Sequence, residues 1–274
     1  WSPNVFVLYD MPAGSYRLDT ADMVAWTPVR WNISNLPTGD YRLDSADMAS
    51  WDLQDFGVDT MPTGDYRPDS ADMAGWSAIT MFVLYDMPAG DYRFDSADVN
   101  FVSTGWVTLH LFSMPTGDYR FDSADIPAPS SLYVHDLPAG EYAFHTADLS
   151  TWGSRISDFN ASNLDGITWD ITDDAFASWV KCQECDVSSN NFDVAQVNTV
   201  LWGLYRASTA RETMYNDEIN VGGTNAAPSG TFQAAASCPV TVATPGKEIA
   251  HELLNDGCHG IAMGRVWASV IFTP

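Results

Sequence analysis

The chain has 274 residues, 46% of them hydrophobic, and carries 36 acidic against 12 basic side chains, a net charge of −24. That length and apolar content suffice for a substantial core, while the charge argues against nucleic acid and anionic membrane surfaces as partners, since both would repel it. No run of 18 apolar residues occurs, so the sequence predicts no membrane insertion.

In chain order, one stretch dominates. Leu36-Pro-Thr-Gly-Asp-Tyr-Arg-Leu-Asp-Ser-Ala-Asp-Met48 recurs with small changes six times, and its prolines (Pro12, Pro37, Pro62, Pro88, Pro115, Pro138) are 25, 25, 26, 27 and 23 residues apart. A fixed period in this range predicts a solenoid, because one repeat cannot bury its own apolar face and a stack can. Residues 6–14 return letter for letter at 82–90, and Trp1 falls near the place of Trp76. The expectation is that the chain starts inside a repeat, with further repeats or a partner before it.

Within a copy, Tyr41-Arg-Leu-Asp alternates: Tyr41 and Leu43 point to one side of a strand, Arg42 and Asp44 to the other. This segment is therefore expected to form the parallel sheet on the concave side, with an irregular convex side. Ala21, Ala46, Ala71, Ala97, Ala124 and Ala147 hold the place where the chain turns out of that strand. The next residues are Asp22, Asp47, Asp72, Asp98, Asp125 and Asp148. They are read first as turn formers that accept backbone N–H bonds. Calcium is the alternative, because carboxylates stacked about 4.8 Å apart share a hard cation. A tryptophan follows at Trp26, Trp51, Trp76 and Trp152, with Trp106 and Trp179 as shifted equivalents, and is read as a buried spine, with carbohydrate stacking as the alternative.

After the last copy, Cys182-Gln-Glu-Cys-Asp-Val-Ser-Ser-Asn-Asn-Phe192 fits L-x-x-L-x-L-x-x-N-x-L. Asn190 stands at the asparagine place, and Cys182, Cys185, Val187 and Phe192 stand at the apolar ones. A degenerate copy, Phe159-Asn-Ala-Ser-Asn-Leu164, leads into it. On these residues, and on the Pro-Thr/Ala-Gly turns, the chain resembles leucine-rich-repeat proteins of the bacterial and phage Leu-Pro-x-x type, over residues 5 to about 192. The resemblance implies a leucine-rich-repeat solenoid of about eight coils over residues 1–192, with a small α/β C-terminal cap over 193–274. In that cap the spacing predicts a helix from Asp193 to Tyr205, with Asp193 as N-cap and Val197, Val200, Leu201 and Leu204 inward. A strand at Glu218 to Val221, a helix beginning near Pro245 and a strand at Val266 to Phe272 complete it.

The candidate binding surface is a charge ladder, with Arg17, Arg42, Arg67, Arg93 and Arg120 in one column and Asp19, Asp44, Asp69, Asp95 and Asp122 in the next. Like charges about 5 Å apart repel by roughly 1 kcal/mol even in water, and interleaved arginines offset that by bonding the carboxylates. In the sixth copy the pair becomes Ala143 and His145. Cys182 and Cys185 are read as buried thiols, with zinc as the alternative. Cys238 and Cys258 flank the second cap helix and are the disulfide candidates in an oxidising compartment. His251-Glu lacks the second histidine of a zinc protease. Asn32 and Asn160 open glycosylation sequons.

These features lead to the expectation of a non-enzymatic structural or adhesive protein on an extracellular, cell or virion surface, with no cofactor beyond optional calcium. Its expected partners are other copies of itself, head to tail in a fibre, or a surface protein or glycan. A glycan- or receptor-binding module is the first alternative, and a calcium-dependent polysaccharide-active solenoid the second.

Overall fold

The computed structural model describes residues 5–10, 16–18, 30–35, 41–43, 55–59, 80–85, 108–113, 129–136, 143–153, 155–164, 168–208, 218–235, 245–255 and 269–272. The chain divides into two compact units, Trp1–Tyr142 and Ala143–Pro274. Residue 193, where the sequence changes character, is not the dividing point, and the residues expected as last coils and cap lie together in the second unit.

In unit 1 the strands are β1 (Val5–Tyr9), β2 (Tyr16–Leu18), β3 (Arg30–Ser34), β4 (Tyr41–Leu43), β5 (Asp55–Asp59), β6 (Met81–Tyr85), β7 (Thr108–Phe112) and β8 (Ser131–His135). Six of them form a parallel sheet in the order β1-β3-β5-β6-β7-β8. The register partners Val5↔Arg30, Arg30↔Asp55, Asp55↔Met81, Met81↔Thr108 and Thr108↔Ser131 are 25, 25, 26, 27 and 23 residues apart, the same series as the proline spacings. Each strand is therefore one period. One face is buried through Trp31, Phe82, Leu109, Leu111, Leu132 and Val134, all at most 2% exposed.

The position of this sheet corrects the sequence expectation. Its strands are the five-residue runs just ahead of each Met/Leu-Pro, and the Tyr-Arg-x-Asp segments that begin at Tyr16 and Tyr41 are not among them; those that begin at Tyr66, Tyr92 and Tyr119 lie outside the described residues. Tyr16–Leu18 and Tyr41–Leu43 do pair in parallel, with Arg17 opposite Arg42, but as a separate two-stranded sheet. The physical reason is length. The upstream runs offer five residues of strand-forming, alternating chain, as in Thr108–Phe112 with Leu109 and Leu111 buried. Tyr-Arg-Leu runs at once into Asp, Ser and Ala, which favour turns or helix over a pleated ladder.

In unit 2, β9 (Ala143–His145) pairs in parallel with β11 (Thr168–Asp170), and β10 (Asp158–Asn160), β12 (Glu184–Asp186), β13 (Glu218–Asn220) and β14 (Ser269–Ile271) pair in parallel in chain order. Three helices accompany them: α1 (Thr146–Trp152), α2 (Val194–Ser208) and α3 (Gly246–Asn255). The strands expected near 218 and 266–272 are thus further members of the β12 sheet.

α2 begins as its sequence implies. Asp193 Oδ1 accepts from Gln196 N at 2.8 Å and Gln196 Oε1 accepts from Asp193 N at 3.1 Å, a reciprocal cap of two otherwise orphaned donors. Val197, Val200, Leu201 and Leu204 are fully buried, as the 3.6-residue period requires. The unit's core is aromatic. Phe144 stacks on Trp169 at 4.6 Å, Phe159 meets Trp179 edge-on at 4.9 Å, and Trp152 and Trp179 are 0% exposed. The spine reading holds for these two tryptophans; Trp26, Trp51, Trp76 and Trp106 lie outside the described residues.

A column of left-handed residues marks where strands end: Asp10, Asn35, Ser113 and Asp136 in unit 1, and Asn163, Ser189 and Gly223 in unit 2. Beyond it in unit 2, two asparagines hold the turning backbone. Asn190 Oδ1 accepts from Leu164 N at 2.9 Å, and its Nδ2 donates to Ala161 O at 2.6 Å and Val187 O at 2.9 Å. Asn225 Oδ1 accepts from Asn190 N and Phe192 N, both at 2.9 Å, while its Nδ2 donates to Val187 O at 2.8 Å and Val221 O at 3.1 Å. The expected asparagine place is thus real at Asn190. The frame it defines belongs to the β12 strand, and one turn earlier Leu164 rather than an alanine occupies it. Ala147, expected at that place, is instead an exposed residue of α1.

Because Asn225 uses its whole hydrogen-bonding capacity on buried backbone, Asn225→Ala removes the side-chain partner of Asn190 N, Phe192 N and Val221 O, while Val187 O keeps Asn190 Nδ2. It should lower stability by on the order of 3 kcal/mol, read as a reduced urea midpoint. Asn220→Ala, at a half-buried strand position, should cost less than half of that.

Candidate functional site

Alternation along each five-residue strand places three residues on the face opposite the core, and the parallel register lines them up in columns. In unit 1 the first column reads Val5, Arg30, Asp55, Met81, Thr108, Ser131, the second Val7, Asn32, Gly57, Val83, His110, Tyr133, and the third Tyr9, Ser34, Asp59, Tyr85, Phe112, His135. This face is open. Among the described residues of unit 1 the exposed large hydrophobic side chains are Val5, Val7, Tyr9, Met81 and Tyr85, and all five lie on it, with Tyr9 60% and Val7 54% exposed.

The polar and aromatic groups on the face are organised. Arg30 Nε meets Asp55 Oδ2 at 2.6 Å, and Thr80 Oγ1 donates to Asp55 Oδ1 at 3.1 Å, so the one arginine of the first column is held by its neighbour. Along the third column Tyr85 lies 6.1 Å from Phe112, and Phe112 meets His135 edge-on at 3.8 Å. His110 packs 4.4 Å from Tyr133 and 5.3 Å from Phe112. Burial, reinforced by repulsion from His135, lowers the His110 pKa, so this ring is held neutral and apolar in character. A trough of about 570 Å³ is lined by residues of β1, β3, β5 and β6, Gly57 and Tyr85 among them, and by Phe112 of β7.

The same positions in unit 2 carry a different chemistry. Asp158, Glu184 and Glu218 are in register on β10, β12 and β13. Ser157 Oγ donates to Asp158 Oδ2 at 2.7 Å, Ser269 Oγ to Glu218 Oε2 at 3.1 Å, and Asn220 Nδ2 to Asp186 Oδ2 at 3.2 Å. Burial first, then the charges of Asp158, Asp186 and Glu218, raise the Glu184 pKa. Among the described residues no three His, Cys, Asp or Glu side chains converge as a metal site.

Of the ladder residues, Arg17 and Arg42 are brought into register on β2 and β4. Arg67, Arg93, Arg120, Asp19, Asp44, Asp69, Asp95 and Asp122 lie outside the described residues, as do Asp22, Asp47, Asp72, Asp98, Asp125, Cys238 and Cys258. In the sixth copy Phe144 is buried and His145 exposed, with His145 Nδ1 3.4 Å from Asp170 Oδ2, so the expected in-out alternation is present there. Asp148, a calcium candidate, is buried in the first turn of α1. Cys182 and Cys185 are buried, as their frame predicts, and Cys182 Sγ donates to Glu184 O at 3.1 Å. His251 Nδ1 lies 3.3 Å from Oε1 of the buried Glu252, which also accepts from Ala235 N at 2.9 Å and so ties the 231–235 segment to α3.

The open face of the six-stranded sheet was not singled out by sequence reasoning, which fixed on the most repeated letters. The signal for it was present: the letter-for-letter repeat begins at Phe6 and Phe82, upstream of the Met-Pro, so the strand belongs to the repeat. No family model, no curated protein and no solved structure matches this chain. Among the described residues no helix is long and apolar enough to cross a membrane.

The Glu184 shift has a sign that can be tested. An acid whose folded pKa lies above its ordinary value of 4.5 holds its proton longer in the folded state. Folding is therefore favoured below that value, and this advantage is lost as pH rises through the folded pKa. Glu184→Gln should accordingly raise Tm at neutral pH and leave it nearly unchanged well below pH 4.5, as read by thermal melts across that range.

Proposed function

We propose that this chain is a non-enzymatic leucine-rich-repeat solenoid, exposed outside a cell or on a virion. Its task is adhesion to a protein partner that presents a basic surface, through the open face of the six-stranded sheet. The solenoid reading is supported by strand register steps that repeat the proline period, and by Asn190 and Asn225 bonding backbone across successive turns. Surface exposure rests on the resemblance to bacterial and phage repeat proteins and on the charge of −24.

The observation that carries the binding reading is the concentration of Val5, Val7, Tyr9, Met81 and Tyr85 on one face, while Trp31, Phe82, Leu109, Leu111, Leu132 and Val134 on the other are buried. Aromatic residues and methionine are enriched in protein interfaces, and an exposed apolar patch bordered by polar groups marks an interaction site. The partner's sign comes from charge complementarity, because an acidic protein with Asp55 and Asp59 on that face attracts a cationic surface and repels an anionic one.

The test is a comparison of variants against surface extracts. A protein captured by the immobilised chain should bind Tyr85→Ala about tenfold more weakly, with Tm unchanged, and should bind Val194→Arg, altered at an exposed site in α2, as it binds the unaltered chain. A captured ligand indifferent to Tyr85→Ala, or a glycan array hit that alone shows this sensitivity, would overturn the protein-adhesion reading.

A further inference from the structure

Resting on that reading, the trough on the same face identifies which feature of a basic partner is read. Gly57 is the only glycine among the outward positions of the six strands. Neither conformation nor crowding requires it. Its backbone is ordinary extended strand, and a Cβ built there would find its nearest neighbours, Asn32 Oδ1 and Trp31 O, at 3.8 Å, which is comfortable contact. Glycine inside a strand weakens it, and marks places where another chain or a ligand comes close. The sheet gives up side-chain packing at this point, within an open trough of about 570 Å³ lined by residues of five strands, a size that holds a small ligand or a few residues of an extended chain.

The walls specify the occupant. Val83 offers apolar surface beside Gly57, suited to an aliphatic stem, and Val7 lines the trough two strands away. Asp59 and the rings of Tyr85 and Phe112 stand at one end, suited to a cation through a carboxylate bond and the ring faces. Among the described residues the lining holds two carboxylates, Asp55 and Asp59, and one guanidinium, Arg30, which meets Asp55 at 2.6 Å. An aliphatic stem that ends in a positive charge is the side chain of lysine or arginine. We propose that the trough over Gly57 is a specificity pocket for a lysine or arginine side chain of the partner protein, its stem on Gly57 and Val83 and its cation at Asp59, Tyr85 and Phe112.

The test uses the whole chain, ¹⁵N-labelled, titrated with N-acetyl-lysine methylamide, its arginine counterpart, and the norleucine analogue that keeps the stem and lacks the charge. Lysine and arginine should shift the Gly57 and Val83 amides saturably, and norleucine should not. Gly57→Val raises the strand surface where the stem is to lie without changing net charge, and the 3.8 Å clearance lets it fold with equal or higher Tm; it should weaken the shifts about tenfold. Asp59→Asn should weaken lysine binding about tenfold. Norleucine binding as well as lysine, or Gly57→Val leaving the titration intact, overturns the pocket. If lysine fails while Tyr85→Ala still weakens the captured partner, the pocket falls and the adhesive face stands. If both fail, the adhesive face falls with it.

Discussion

A parallel sheet whose neighbouring strands follow one another in the chain depends on how the chain leaves each strand. It must turn away sharply, travel back outside the sheet, and re-enter beside the strand it left with the same heading. Here the exit is made by a residue in the left-handed region: Asp10, Asn35, Ser113 and Asp136 in unit 1, Asn163, Ser189 and Gly223 in unit 2. A bulky L-residue there costs roughly 1–2 kcal/mol, and the column is filled by the residue types that tolerate it best or bond their own backbone. At Gly223 no side chain fits at all, since a Cβ would collide with Ser189 Oγ. Once the exit is fixed, variation in repeat length is absorbed by the return path, and the strands stay in register although the steps range from 23 to 27 residues.

The two units stiffen the chain beyond that exit by different chemistry. In the six copies a Met or Leu and then a proline come next. Proline locks its own φ and confines the residue before it to extended conformations, so the sequence prescribes three consecutive backbone conformations with little entropy left to lose. In unit 2 the proline is gone, and Asn190 and Asn225 take its place with side-chain amides, each bonding backbone of its own turn and of the one before. The first device acts on the unfolded state and the second on the folded one. This accounts for the change of sequence style near residue 160 without a change in strand direction within unit 2.

Much of this architecture was legible in the sequence. The period was correct to the residue, because register and proline spacing are the same number. α2 was legible through its cap and its 3.6-residue spacing, and the buried tryptophans and cysteines through their frame. The location of the principal strands was not. Tyr-Arg-Leu-Asp alternates well and repeats almost without change, whereas Arg30–Ser34, Asp55–Asp59 and Thr108–Phe112 share few letters. Alternation alone cannot rank two candidate strands within one period. The deciding features are the length of uninterrupted extended chain and the αL-Met/Leu-Pro stop at its end, and Asp10, Asn35, Ser113 and Asp136, each two residues before a proline, were that stop.

The misplaced strand also explains why the candidate site was missed. A surface built from near-identical copies is a poor reader of any one partner, since every copy offers the same letters. The outward positions of the five-residue strands differ from strand to strand: Val7, Asn32, Gly57, Val83, His110 and Tyr133 occupy one column, and no two neighbours are alike. The most repeated letters lie in the sequence between one principal strand and the next. Variation is confined to the positions that face outward between core residues, where a substitution leaves the buried face untouched. In unit 2 those positions hold Asp158, Glu184 and Glu218, and burial first, then the neighbouring carboxylates, raises the cost of charging Glu184. In unit 1 they hold valines, tyrosines, a methionine and a phenylalanine, interspersed with polar residues such as Arg30, Asp55, Asp59 and His110. An exposed apolar surface of that kind on a chain otherwise so acidic is maintained against solvation, and the binding face proposed for unit 1 supplies the reason it is kept.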